Sequence, residues 1–175
     1  SKIISKKIVS RRKKKNIEVE DLLQIINSVK KNKFSKIHNA TKVFQALRIF
    51  VNKEISELIY GLIKAVKILD INGILLTVSF HSLEDKIIKY FFTNLSEQKK
   101  ISRYYPEPSR EKKNILKLNF KKPILPSKDE IKINKPSRSA KLRYAIKISN
   151  DKNFEKDLLC KFEKLLEIER LSKKL

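Results

Sequence analysis

The chain has 175 residues, 41% of them apolar, which is enough to build a core and excludes wholesale disorder. Lys and Arg number 42 against 19 Asp and Glu, a net charge of +23 that favours a polyanionic partner and salt-sensitive binding through counterion release. A merely lysine-rich composition is the plainer account of that charge, but the run Arg11–Lys15, RRKKK, clusters it.

With only Gly61 and Gly73, no G-x-G-x-x-G or Walker loop can be written. Any nucleotide-like cofactor must then be cradled by other residues than these. Cys160 is the sole cysteine, so an internal disulfide is excluded, and with His38 and His81 as the only histidines so is the usual Cys/His zinc site. No metal is expected. No apolar run reaches the length of a membrane span, and no secretory pattern follows the basic N-terminus. These features point to a cytoplasmic protein with no membrane partner. Methionine is absent even at position 1, as in a sequence that begins inside a longer protein.

Residues 1–15 set Ile3, Ile4 and Ile8 among Lys and Arg and suit the end of a basic helix. From Glu18 to Lys30, Val19, Leu22, Leu23, Ile25, Ile26 and Val29 fall at helical spacing. Residues 31–40 form a polar, basic connector, after which Asn39 or Thr41 is placed to cap a helix. That helix runs from about Lys42 to Leu69, with a stripe of Phe44, Leu47, Phe50 or Val51, Ile55, Leu58, Leu62, Val66 and Leu69 and a break near Asn52. Asp70-Ile71-Asn72-Gly73 is a turn, with Gly73 suited to positive φ. Ile74–Phe80 is a nearly continuous apolar run and reads as a strand buried on both faces. Ser82 with Asp85 three positions later opens a helix to about Phe92. A loop over 93–115, a short strand Leu116–Phe120 and a long connection Lys121–Arg138 follow. Lys141–Ile148 alternates, with Leu142, Tyr144, Ile146 and Ile148 on one face and Lys141, Arg143 and Lys147 on the other. Residues 152–173 form an amphipathic helix carrying Phe154, Leu158, Phe162, Leu165 and Leu166. One buried strand cannot make a parallel sheet by itself, so further strands are expected from elsewhere.

The densest polar cluster, His81, Ser82 and Asp85, stands where a strand ends and a helix begins. In open α/β sheets that is where ligands bind. A capping serine, a structural histidine and a helix-start carboxylate are the plainer reading of the same residues. Gln45, Arg48 and Asn52 share a helix face that suits RNA or simply solvent. Arg138, Lys141 and Arg143, on a loop running into a strand, are placed to meet phosphates. Phe80, Tyr104 and Tyr105 have the flat faces that stack on bases, whereas Phe91 reads as core.

Four segments then carry a resemblance. They are HNATKVFQALRIFVNKE from His38, SFHSLEDKIIK from Ser79, KKPILPSKDEI from Lys121 and SRSAKLR from Ser137. In that order and spacing they resemble the RsmH (MraW) family of ribosomal RNA methyltransferases, from about residue 3 to residue 147. The resemblance implies an α/β fold, the C-terminal half of a Rossmann-like S-adenosylmethionine-dependent methyltransferase domain preceded by the end of a helical insertion. Residues 1–40 would end that RNA-recognition insertion, 41–148 form the second half of the methyltransferase domain, and 149–175 a helical extension. Residues 74–80 would be an inner parallel strand, with 116–120 and 141–148 as a hairpin-like pair.

The implied reaction is N4-methylation of a cytosine in small-subunit ribosomal RNA. The S-adenosylmethionine site would lie in an N-terminal half absent here, so the chain alone should be inactive. His81, Ser82 and Asp85 would be the catalytic candidates. Gln45, Arg48, Asn52, Arg138, Lys141 and Arg143 would contact RNA. The expected partner is that RNA or the small ribosomal subunit, with a homodimer left open. Departures from the family pattern fall at turns: Asn39 for a proline, Asp70–Gly73 for a Pro-Gly-Gly turn, and Pro136 one place late. Two other functions remain open, a non-catalytic basic RNA-binding protein derived from the enzyme and one half of a split enzyme.

Overall fold

The structure, a computed structural model, describes residues 2–29, 38–96, 114–151 and 153–171. They divide into two compact units, residues 1–54 and 55–175. The connector over 30–37 and the loop over 97–113, with Tyr104 and Tyr105, lie outside the described residues.

In the first unit, the basic segment forms α1 (Lys2–Arg12) and the amphipathic one α2 (Val19–Val29). Ile4 of α1 meets Ile25 and Ile26 of α2 and Ala40, with Ile8, Leu22, Leu23, Val29 and Val43 packed around them. Each buried isoleucine contributes about 1.5–3 kcal/mol. Between the helices, the buried carboxylate of Asp21 accepts from Arg11 at 2.5 Å and from the backbone N–H of Glu18 at 3.3 Å, and pairs with Lys15 at 2.8 Å. The Lys15 hydrogen bond pulls its pKa down. Burial opposes that, and the Glu18 and Arg11 bonds restore it, so the carboxyl stays below the ordinary range.

The long helical stripe is broken where expected. α3 (Thr41–Asn52) ends at Lys53, whose left-handed φ of 55° turns its N–H onto the Ile49 carbonyl. α4 (Glu54–Ile68) follows. Neither Asn39 nor Thr41 caps α3. Ala40 stands at the cap with no side-chain bond, and His38 Nδ1 accepts its N–H at 3.2 Å. α3 buries none of its residues, whereas α4 buries Ile55, Ile59, Leu62, Ile63 and Val66.

In the second unit, the turn into β1 (Ile74–Ser79) assigns its roles differently from expectation. Asn72 takes the positive φ, 68°, and Gly73 does not. Gly73 is required by proximity, because a Cβ there would lie 2.7 Å from the Leu69 side chain and 2.8 Å from the Asp70 carbonyl. β3 (Lys141–Lys147) pairs antiparallel with β1, and β2 (Leu116–Lys117) pairs on its far side, giving the order β1-β3-β2. The pairing of 116–117 with 141–147 agrees with expectation, although β2 is only two residues long.

β1 is neither doubly buried nor flanked by parallel strands among the described residues. It is an edge strand in an antiparallel sheet, and its side chains alternate. Ile74, Leu76 and Val78 are about half exposed, while Leu75 and Thr77 are partly covered and Ser79 is buried. The register places Ile74, Leu76 and Val78 opposite Ile146, Tyr144 and Leu142, so one face of the β1–β3 pair is apolar, with Lys117 of β2 at its far margin beside Ile146. The other carries Lys141, Arg143 and Lys147. It is the covered one, with Lys147 donating from Nζ to the Leu69 carbonyl at 2.5 Å.

α5 (Ser82–Ser96) outruns its expected end and contributes Ile87, Ile88, Phe91, Phe92 and Leu95 to the core. The stretch expected as a plain connection holds α6 (Lys128–Ile133) and a 3-10 turn, Lys135–Ser139. Ser127 caps α6 by accepting the Glu130 N–H at 3.1 Å. The tail forms α7 (Glu155–Arg170), with Phe154 edge-on to Phe91 and Phe162 edge-on to Tyr90. From its last turn, buried Glu169 accepts the N–H groups of Ile55 at 3.0 Å and Ser56 at 2.7 Å and the Ser56 hydroxyl at 2.6 Å. A carboxylate thus satisfies the orphan donors at the start of α4.

Glu169→Ala should therefore destabilise the chain by about 2 kcal/mol in urea unfolding, and Glu169→Gln, which keeps one acceptor oxygen, by less.

Candidate functional site

The turn from β1 into α5 is closed by a reciprocal cap. His81 Nδ1 accepts the Glu84 N–H at 3.3 Å, while Glu84 Oε2 accepts the N–H groups of Phe80 at 3.0 Å and His81 at 3.3 Å. This is a capping box with histidine in the Ser/Thr place. The cap expected of Ser82 belongs to His81 one residue earlier, and Ser82 is exposed on the first turn. Because Nδ1 accepts, a neutral His81 carries its proton on Nε2. That atom lies 3.2 Å from Glu84 Oε1 and is buried without an aligned hydrogen-bond partner among the described residues.

Asp85 sits on the same first turn, buried, facing the basic side of the sheet. Its Oδ1 accepts from Arg143 Nε at 2.8 Å and its Oδ2 from Lys141 Nζ at 3.0 Å. Arg143 also donates to the Lys121 carbonyl at 2.9 Å. Burial pushes the Asp85 carboxyl up, but the bonds and charges of Arg143 and Lys141 outweigh it and hold the group below its ordinary value of 3.8. A carboxylate so committed is a weak proton acceptor. Arg143 is committed too, its side chain only 9% exposed, whereas that of Lys141 is 36% exposed.

The structure therefore unites three residues that the sequence assigned to two roles. Lys141 and Arg143 reach a carboxylate, and Arg138, in the 3-10 turn, is exposed and makes no side-chain bond among the described residues. In the first unit, Arg48 forks onto Glu54 with bonds of 2.8 and 3.1 Å, and Asn52 donates to the same carboxylate at 3.3 Å. Gln45 is half-buried on α3. Sequence reasoning passed over Glu84 and Glu169. The H-x-x-E spacing of His81 and Glu84 was the available signal for the first, and nothing local marks the second.

The described residues do not fit an adenosyl cofactor. Gly61 lies inside α4, and Gly73 packs on Leu69. Just before α5, Glu84 takes the N–H groups of Phe80 and His81. No helix among the described residues is long and apolar enough to cross a membrane.

Comparison with known proteins places these elements. The MraW methylase family matches residues 1–148, and the chain belongs to that family. It is 48% identical over 149 residues to a ribosomal RNA small subunit methyltransferase H of Borreliella afzelii, covering 85% of this chain and 45% of that protein. It is 43% identical over 153 residues to the protein of that name in Wigglesworthia glossinidia brevipalpis, covering 86% and 50%. A third, from a Sulfurihydrogenibium species, is 43% identical over 148 residues, covering 83% and 45%. The chain thus spans about half the length of the curated relatives it matches. α7 lies beyond the family match.

Asp85→Asn should destabilise the chain by roughly 3 kcal/mol, because it leaves Arg143 covered beside an uncharged partner. The pH dependence follows from the depressed carboxyl. Its contribution is complete above the unfolded value near 3.8 and is lost as pH falls through the lower folded value. Urea unfolding across pH 2–7 should show that acid loss in the native chain and a smaller one in Asp85→Asn.

Proposed function

We propose that this chain is the C-terminal part of an S-adenosylmethionine-dependent enzyme that methylates N4 of a cytosine in small-subunit ribosomal RNA. The single observation that carries the reading is the exposed apolar face of β1, with an edge that no other described strand pairs, in a chain that spans about half the length of its methyltransferase relatives. Exposed, flat, apolar strand edges are rarely left bare. The proposed occupant is the preceding segment of the same protein, adding strands beside β1 to form a Rossmann-like sheet and holding the cofactor. Residues 1–40 then end an insertion that recognises RNA.

Within the site, the geometry divides the candidate residues. Phe80 and Ser82, both exposed at the end of β1, are the proposed contacts to the target base, through a ring face and a hydroxyl. His81 positions that turn through its bond with Glu84. Asp85 positions Lys141 and Arg143, which hold the shape of the basic edge, and exposed Arg138 meets a phosphate. Arg48 and Asn52 shape the start of α4 through Glu54, beside Gln45 as the proposed RNA contact of α3.

Calorimetry with S-adenosylmethionine on this 175-residue chain, in parallel with a version extended upstream, tests the reading. The extended version should bind, the short chain should not, and the β1 amides should exchange more slowly in the longer one. Binding by the short chain would place the cofactor site among the residues seen here, and binding by neither would remove the methyltransferase reading.

A further inference from the structure

The first unit contains a groove of about 600 Å³ between α1 and α2 that none of the candidate residues above explains. Lys7, Arg11, Lys14 and Lys15 line it from one side, and Gln24 and Ser28 from the other. We propose that this groove seats the sugar-phosphate backbone of RNA. The inference rests on the reading of the target as an RNA and adds where a part of its backbone is gripped.

The arrangement follows from helix geometry. Lys7 and Arg11 are one turn apart on the same face of α1, about 6 Å along its axis. The chain then tightens, with the N–H groups of Lys14 and Lys15 both bonding the Arg11 carbonyl, so the basic stripe continues past the helix end. One buried carboxylate, Asp21, answers this stripe, and it engages Arg11 and Lys15. Lys7 rests on a neutral group, the Ser28 hydroxyl at 2.8 Å, and Lys14 pairs with no carboxylate among the described residues. The groove therefore keeps a net positive charge while Asp21 holds its walls in place.

The rest of the lining selects the ligand. Gln24 accepts from Arg11 through Oε1, which leaves its amide N–H groups to donate. Ser10 and Ser28 add hydroxyls, and Ile25 is the one apolar residue among the described lining. Among the described residues no aromatic ring lines the groove, so they offer bases nothing to stack on. Cations and small donors without a stacking surface suit phosphate oxygens and ribose hydroxyls, a contact that positions an RNA without reading its sequence. A concave wall with one apolar residue among the described ones also gives a lipid surface little to insert against.

The test measures binding of the whole chain to a fluorescein-labelled hairpin from small-subunit ribosomal RNA across a salt series, without cofactor, so that its outcome is independent of the calorimetry above. Lys7→Gln/Lys14→Gln should weaken binding about tenfold or more at low salt. It should also lower the slope of log affinity against log salt by roughly 1.4–1.8, two phosphate contacts' worth. A scrambled hairpin should show the same change. Lys156→Gln/Lys164→Gln, which removes the same charge from the exposed side of α7, should change the slope far less. Equal losses in the two double variants would overturn the inference, as would an effect confined to one RNA sequence. If the first variant fails to fold, lysine acetylation of the native chain decides. RNA should shield Lys7 and Lys14 more than Lys156 and Lys164, and equal shielding would refute the groove. Shielding of Lys7 and Lys14 by anionic phospholipid vesicles but not by RNA would refute it as well.

Discussion

The second unit depends on one carboxylate. Asp85, projecting from the first turn of α5, receives Arg143 and Lys141 from β3 and so decides which face of the sheet is inside. A covered guanidinium without a partner would cost several kcal/mol, and with Asp85 in place it is tolerated at 9% exposure. The basic face can then lie against α5, and Lys147 completes it by reaching the Leu69 carbonyl. The apolar face, Ile74, Leu76 and Val78 with Leu142, Tyr144 and Ile146, is turned outward as a direct consequence of the two-residue period of a strand. An ordinary small sheet buries its apolar side. This one covers its charged side and leaves Ile74, Leu76 and Val78 of the other about half exposed.

Five acids of this strongly basic chain stand where backbone N–H groups or cations need them. Glu84 takes the N–H groups before α5, Glu169 those at the start of α4, Glu54 holds Arg48 and Asn52, Asp21 holds Arg11 and Lys15, and Asp85 holds the sheet. Each is committed to architecture, so the uncompensated positive charge is left on surfaces. That distribution suits a protein whose partner is a polyanion, because binding then draws on cations that folding has not already used.

Membership of the MraW methylase family and the geometry bear on different parts of the chain. The family match ends at residue 148, whereas α7 begins at Glu155 and contributes Phe154, Phe162 and Glu169 contacts to the second unit. The tail is thus integrated into the packing of α4 and α5, with a buried carboxylate at a helix start that would otherwise present unsatisfied donors.

Much of this was legible in the amino-acid sequence by itself. Periodicity marked α2, α4, β3 and α7, and the break near Asn52 was foreseeable, although it is a left-handed Lys53 that makes it. The segments around Ser79–Lys89 and Ser137–Arg143 carried the family. The residue types of the site were also visible as a basic strand and a polar strand-to-helix turn. Local pattern could not decide how they pair. It could not show that Lys141 and Arg143 answer Asp85 instead of solvent, that His81 and not Ser82 caps α5, or that Asn72 and not Gly73 takes the left-handed turn. The apolar run Ile74–Phe80 reads the same whether its strand lies inside a sheet or at an edge, because burial is a property of neighbours. Hydrophobic period and capping chemistry act over a few residues and are written in the sequence. Which carboxylate meets which cation across 56 or 58 positions of chain is decided only when the tertiary structure brings them together.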